Sequence, residues 1–324
     1  MTASVDWRPA RLRATRDLTP DIRLFEIEPE GPFAPTSPGS HIKLAVDIDG
    51  RPDTRSYSVV DACRDGIYRI AVKRLADSHG GSRHMWRLVP GAALSVGMAV
   101  NDFPLAAGRP EYLLVAGGIG ITPIHAHALA LAERGADFRL LYGVRRAADL
   151  AFAEELGTLL GPRLQTFVGE AGQRIDLAAE IGRLAPGGEL YVCGPLPMLD
   201  AARQAWRDAG RPADLLRFET FGRSGRYPTA PFTVRLAGDG RAIEVPPGRS
   251  MLEALEAAGV EMISDCRRGE CGLCALPILA ADGPIDHRDV FFSDAEKAAN
   301  AKLCTCVSRL AGGTITVDTG ERPA

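Results

Sequence analysis

The chain has 324 residues, 46% of them hydrophobic and 24% charged, with a formal net charge of −3. That length holds two or three ordinary globular domains. The charge balance excludes a strongly basic nucleic-acid surface, no apolar run is long enough to span a bilayer, and Met1-Thr-Ala-Ser-Val-Asp-Trp7 has no basic-then-apolar leader. Five of the seven cysteines crowd between Cys266 and Cys306, while Cys63 and Cys193 stand alone. This points to a metal site in a reducing compartment, and so to a cytoplasmic protein without membrane or nucleic-acid partners.

From Trp7 to Leu105 the pattern is of short strands: Arg11–Thr15, Ile22–Ile27, His41–Asp47, Ser56–Val60 and Tyr68–Lys73. Turn material separates them, including residues 32–38 and Asp49-Gly50. Such spacing predicts a barrel or sandwich. Arg55-Ser56-Tyr57-Ser58 offers a guanidinium for phosphate, an aromatic ring for stacking and hydroxyls for a ring edge. Arg and Tyr on an exposed strand are commonplace, so the motif is weak alone. After Val72-Lys73-Arg74, Gly80-Gly81-Ser82 precedes a predicted helix over Arg83–Leu88. Glycines and a serine at a helix start offer donors to an anion. The competing reading makes Ser82 a plain N-cap.

Glu111–Ala116 is an apolar strand that runs into Gly117-Gly118-Ile-Gly120-Ile-Thr122-Pro123 and a helix to Glu133. Strand, glycine loop and helix in that order suit a pyrophosphate, although the loop is not G-x-G-x-x-G. Strands at Phe138–Gly143, Arg163–Val168, Glu189–Cys193 and Leu215–Phe221 alternate with helices over 149–160, over 177–184 and up to Gly210. The alternation predicts a doubly wound parallel sheet with ligands at the carboxyl ends of its strands. The Gly117 and Cys193-Gly194-Pro195 turns both fall at such ends. Arg145 and Arg146 are equally candidates for a nucleotide phosphate or ribose and for a solvated loop. Cys193 is either a small buried apolar residue or part of the site.

Residues 222–231 read as a linker. A hairpin follows over Phe232–Leu236 and Ala242–Val245, and Ser250 N-caps a helix over Met251–Ala258. Then comes Cys266-Arg-Arg-Gly-Glu-Cys271-Gly-Leu-Cys274, with Cys304 and Cys306 further on. C-x4-C-x2-C with a distant fourth cysteine is the plant-type [2Fe–2S] spacing. Each tetrahedral iron takes two bridging sulfides and two thiolates. Gly269 and Gly272 permit the backbone turns that bring N–H groups toward sulfur. A zinc-stabilised binding module would show paired C-x2-C knuckles, and only half of such a pair is present. Cys304 and Cys306 are both available as the fourth ligand, and strand alternation would point them to one face. Strands at Leu276–Leu279 and Thr314–Val317 complete a small sheet crossed by one helix, a β-grasp arrangement. His287, in the polar Asp286-His-Arg-Asp289, is not the histidine pair of a Rieske site and reads as structural or partner-facing.

With these motifs in order, nearly the whole chain resembles the phthalate dioxygenase reductase family. The resemblance rests on Arg55–Ser58, Gly80–Ser82, Gly117–Pro123, Cys193–Pro195, Glu219-Thr-Phe221, the cysteine loop and Cys306-Val-Ser-Arg309. It implies a multidomain β, α/β and α+β chain. Residues 1–107 would form a flavin-binding Greek-key β-barrel, 108–224 a doubly wound NAD-binding domain, and 225–324 a β-grasp ferredoxin domain.

The implied cofactors are FMN, NADH and a [2Fe–2S] cluster. Arg55, Ser82 and the Gly80–Gly81 backbone would hold the FMN phosphate. Tyr57 would lie against the isoalloxazine, with Ser56, Ser58, Ala71 and Lys73 around it. Gly117, Gly118, Gly120, Thr122, Pro123, Arg145, Gly194 and Pro195 would bind NADH. Cys193, Glu219 and Phe221 would take the catalytic positions at the nicotinamide–flavin contact. The Cys-Val-Ser-Arg context makes Cys306 the fourth cluster ligand beside Cys266, Cys271 and Cys274. The Gly80-Gly81-Ser82 form resembles FMN members of the family, not FAD members. The implied activity is hydride transfer from NADH to flavin, then single electrons through the cluster to a partner. That partner would be a Rieske-type oxygenase that hydroxylates or O-demethylates aromatic acids. The alternatives are a cytochrome P450 as acceptor, or a free-standing flavin or ferric reductase. A monomer is expected. The chain departs from the family pattern in a longer interval before Cys306, in the extra thiol of Cys304, and in the wording of Tyr142–Arg146.

Overall fold

The computed structural model describes residues 6–33, 35–48, 50–75, 80–221 and 225–320. They form two compact units, one ending at Glu219 and one beginning at Thr220. Part of the expected linker, residues 222–224, lies outside the described residues.

The first unit opens with β1 (Trp7–Thr19), β2 (Ile22–Pro29), β3 (Ser40–Ile48), β4 (Arg51–Ser58) and β5 (Tyr68–Lys73). Helix α1 (Gly81–Arg87), β6 (Ala93–Gly97) and β7 (Val100–Asn101) follow. The strand order is β4-β3-β6-β1-β2-β5, with β7 beside β3. A single antiparallel bridge, Val59 to Ile70, joins the two ends and closes the barrel. Leu12, Phe25, Ile27, Ile42, Leu44 and Ile70 fill the interior, as the period of two requires. The first strand is far longer than Arg11–Thr15. It bends through register shifts at Leu12/Ala14 and Asp17/Thr19, which hide its length from a simple alternation count.

The same unit continues with β8 (Tyr112–Gly117), α2 (Ile121–Glu133), β9 (Phe138–Val144), α3 (Ala153–Leu160) and β10 (Leu164–Val168). Then come α4 (Leu177–Arg183), β11 (Glu189–Cys193), α5 (Leu196–Asp208) and β12 (Leu216–Glu219). All five strands are parallel, in the order β10-β9-β8-β11-β12. The order reverses between β8 and β11, which makes their carboxyl ends the switch point of the sheet. Barrel and sheet are joined by buried polar contacts. His125 Nδ1 lies 2.8 Å from the Val60 carbonyl oxygen, and His127 Nε2 lies 3.0 Å from that of Phe103. The Tyr191 hydroxyl accepts from Ala106 N–H at 2.8 Å.

The second unit contains β13 (Phe232–Leu236), β14 (Ala242–Val245), α6 (Met251–Ala257), β15 (Ala275–Ala281) and β16 (Ile285–Asp286). It ends with α7 (Asp294–Ala299), β17 (Lys302–Cys304), β18 (Arg309–Leu310) and β19 (Thr314–Val317). Its sheet runs β14-β13-β19-β15-β17, with β13 parallel to β19. Met251, Ala254 and Leu255 of α6 pack with Val234, Leu236, Ile315 and Val317, the β-grasp core. A capping box starts α6: the Ser250 hydroxyl accepts from Glu253 N–H, and the Glu253 carboxylate accepts from Ser250 N–H. Among the described residues no helix is long and apolar enough to cross a membrane.

Candidate cofactor sites

Arg55, Ser56, Tyr57 and Ser58 occupy β4 and alternate between its two faces. The Arg55 guanidinium pairs with Asp53 at 2.7 Å and lies on the start of α1. A Cβ on Gly81 would stand only 2.7 Å from Arg55 Nε. The missing side chain therefore lets a guanidinium meet the Gly80-Gly81-Ser82 backbone. Gly80, at φ 90°, is the N-cap, and no side chain caps the helix. Ser82 instead sits inside the first turn, where its hydroxyl accepts from Leu75 N–H at 3.3 Å. The plain N-cap reading of Ser82 thus fails. Ala71 is buried in β5 and Lys73 ends that strand half-buried. Guanidinium, glycine backbone and serine hydroxyl are the donor set a phosphomonoester requires, so these residues fit FMN.

The two turns at the switch point touch. A Cβ on Gly117 would meet Pro195 Cδ at 2.6 Å and Gly194 Cα at 3.1 Å, and a Cβ on Gly120 would overlap the Cys193 carbonyl. Gly118 has φ 54°, and the Thr122 hydroxyl donates to the Ile119 carbonyl at 3.0 Å. Pro123 is buried within the first turn of α2. Arg145 and Arg146 part company here. Arg145 is exposed, whereas Arg146 is held by Asp149 at 2.7 Å and Asp21 at 3.3 Å.

At the same edge Cys193 and Glu219 are register partners on β11 and β12. Both are buried, and the Ser58 hydroxyl donates to Glu219 Oε2 at 3.4 Å. The end of the barrel strand β4 thereby meets the carboxyl edge of the sheet. Phe221 follows Glu219 by two residues and is half-buried. Cys63, the other isolated cysteine, donates to the Asp61 carboxylate, and burial pushes its thiol up to about 12, so it stays protonated.

In the second unit the cysteine loop is wound for sulfur. Arg267, Gly269 and Gly272 have φ of 51°, 78° and 72°. The N–H groups of Arg268 and Glu270 then point at Cys266 Sγ, at 3.4 and 3.5 Å. Cys274, Cys304 and Cys306 are buried together with Leu252, Phe292 and Val307. Hydrogen bonds from Cys304 and Cys306 drive the Cys274 thiol down. Among the described residues no three of His, Cys, Asp and Glu converge as one metal ion would demand. A two-iron cluster asks only two thiolates of each iron, and inward N–H groups are its usual hydrogen-bond partners. The strand ends at Cys304, and Thr305-Cys306-Val307 is a turn, so strand alternation does not relate Cys304 to Cys306.

Some of the supporting residues carry no motif. Met198 Sδ lies under Gly117 and Gly194, and the Phe291 ring lies against Gly272. The expected polar loop 286–289 is buried and structural. His287 Nε2 lies 2.9 Å from Asn300 Oδ1, and Asp289 accepts from Phe292 N–H at 3.0 Å and from the Ser308 hydroxyl at 3.1 Å. Val290 N–H donates to the Gly269 carbonyl at 2.9 Å, which ties this loop to the cysteine loop. The run of acids and a histidine in 286–289 was the only local signal.

Residues 234–311 match the model of the 2Fe-2S iron-sulfur cluster binding domain, and residues 114–204 match that of the oxidoreductase NAD-binding domain. The chain is 40% identical to the heme-dependent oxidative N-demethylase beta subunit of Ectopseudomonas mendocina (strain ymp), over 95% of this chain and 97% of that one. It superposes on the solved phthalate dioxygenase reductase, described as a modular structure for electron transfer from pyridine nucleotides to [2Fe–2S]. The TM-score is 0.75 and the identity 31%, over 97% of this chain and 98% of that one. An intact type IV self-sufficient cytochrome P450 monooxygenase also matches, at 32% identity and a TM-score of 0.65. The match covers 96% of this chain, which spans only 41% of that longer protein.

Proposed function

The chain belongs to the phthalate dioxygenase reductase family, and from that premise we propose that it carries electrons from NADH to a Rieske-type oxygenase acting on aromatic acids, by hydroxylation or O-demethylation. It is an oxidoreductase, the reductase component of an oxygenase system, with FMN, NADH and a [2Fe–2S] cluster as cofactors. These groups convert two-electron hydride chemistry into one-electron delivery, and the protein supplies position and electrostatics.

The observation that carries this reading is one chain holding a glycine-lined switch point beside a phosphate cradle, and a cysteine loop with inward N–H groups. Arg55, Ser82 and the Gly80–Gly81 backbone hold the FMN phosphate. Tyr57 flanks the flavin ring, with Ser56, Ser58, Ala71 and Lys73 around it. Gly117, Gly118, Gly120, Thr122, Pro123, Gly194 and Pro195 receive the dinucleotide, with Arg145 at its edge. Cys193 and Glu219 bound the nicotinamide–flavin contact and Phe221 closes it. Hydride transfer needs no side-chain base, so Glu219 acts by position and charge. Cys266, Cys271, Cys274 and Cys306 bind the cluster. In domain terms the proposal is a barrel over 1–107, a nucleotide domain over 108–224 and a ferredoxin domain over 225–324, in a monomeric cytoplasmic protein.

A haem-containing acceptor such as a cytochrome P450 is the second reading, supported by the haem-dependent system named for the 40% identical relative and by the P450 match. Reconstitution separates the two. The purified chain is mixed with NADH and either a Rieske oxygenase or a cytochrome P450, and substrate turnover is followed. Turnover with the Rieske partner alone supports the proposal, and turnover with the haem partner alone replaces it.

A further inference from the structure

Helix α2 begins at the glycine loop, and its first turn carries Thr122 and Pro123. His125 follows Ile121 by one turn, on the same side of the helix and about 6 Å further along the axis. Its imidazole is buried, with Nδ1 2.8 Å from the Val60 carbonyl oxygen. A carbonyl only accepts, so Nδ1–H is the donor. The other ring nitrogen, Nε2, lies 3.5 Å from Glu155 Oε1.

Val60 is fixed in turn. It stands two residues after Ser58, the last residue of β4. Its N–H donates to the Arg69 carbonyl at 3.0 Å, and the Val59 N–H donates to the Ser40 carbonyl at 2.9 Å. Val59 also makes the bridge to Ile70 that closes the barrel. The imidazole therefore connects this seam, and with it the strand of Tyr57 and Ser58, to the helix behind the glycine loop. The Phe152 ring packs on the imidazole, with centroids 4.5 Å apart. Phe152 is buried and has φ 62°, a left-handed backbone that a bulky residue adopts only at a cost. Such strain persists where the surroundings fix it, and here the strained residue presents its ring to the histidine. His127 bonds instead to Phe103, in the segment that leaves the barrel after β7.

We propose that His125 is a positioning residue for hydride transfer: its bond to Val60 sets the separation between the dinucleotide loop at the start of α2 and the flavin strand β4. A misplacement of about 1 Å between reacting groups can cost about 100-fold in rate. The residues proposed to receive the dinucleotide all belong to the turns of the parallel sheet. Loosening the strut therefore leaves affinity in place and slows the reaction. The inference rests on the reading that β4 holds the flavin and that Gly117–Pro123 receive NADH.

The test uses the full chain holding FMN and cluster, with His125→Leu, His125→Asn and Gly120→Ala. FMN content, melting temperature, the NADH dissociation constant, the limiting rate of anaerobic flavin reduction and the nicotinamide–flavin charge-transfer absorbance are measured. His125→Leu is expected to keep its FMN and its NADH dissociation constant, to lose charge-transfer absorbance and to reduce flavin about tenfold or more slowly. His125→Asn, whose amide nitrogen stands where Nδ1 stands, restores most of the rate and the absorbance. A lower melting temperature in His125→Leu, with wild-type rate and absorbance, would overturn the inference and make the histidine structural only. His125→Asn as slow as His125→Leu would also overturn it. Wild-type NADH binding in Gly120→Ala would overturn instead the underlying placement of the dinucleotide. Should His125→Leu fail to fold, Phe152→Leu keeps the imidazole, removes the ring that holds it and is read in the same way.

Discussion

Gly120 shows how little space separates the two turns of the switch point. Any side chain there overlaps the Cys193 carbonyl, so Gly120→Ala must displace the loop that receives the dinucleotide. Overpacking of this kind costs about 1–3 kcal/mol. The expected outcome is a KM for NADH raised about tenfold or more, with FMN and iron content unchanged. A wild-type KM would remove Gly117–Pro123 from the site. His127 makes a different prediction at the same scale. It is fully buried, with Nδ1 lacking a hydrogen-bond partner among the described residues. Burial lowers its pKa from 6.5 to about 4. Between those values the unfolded chain binds a proton that the folded chain refuses. Its contribution to stability is thus complete above the unfolded pKa and is lost as pH falls toward the folded one. Between pH 7 and 5 the wild type should lose roughly 2 kcal/mol more than His127→Leu. Parallel pH profiles in denaturant melts would contradict this.

Among elements, those with a local signal were legible in the sequence. The parallel strands read as apolar runs between helices, and the Ser250 cap marked the start of α6 as expected. Ser250→Ala should lower the stability of the second unit by about 1 kcal/mol, with iron content retained. A variant with wild-type stability would show that water replaces the cap. The less legible elements depend on distant partners. β6 and β7 pair with β1 and β3, strands well before them in the chain. β16 and β18 are two residues each and exist only through each other. Helix α3 starts at Ala153 and not at Asp149, because a 3-10 turn over Ala147–Asp149 and Phe152 at φ 62° intervene.

At the level of the whole molecule, motif order was the most readable feature, since each motif sits on the element its chemistry needs. The supports behind the motifs were not readable. Asp53 beside Arg55 and Met198 under the glycines belong to no spacing rule, and Phe291 over Gly272 meets its glycine only through the fold. One chain takes electrons from NADH and delivers them to a [2Fe–2S] centre. An anaerobic NADH titration of the purified protein, followed by absorbance and EPR, tests it most directly. The flavin and cluster bands should bleach together, and a rhombic [2Fe–2S] signal should grow. Flavin bleaching with no iron signal, in protein carrying its full iron content, would contradict it.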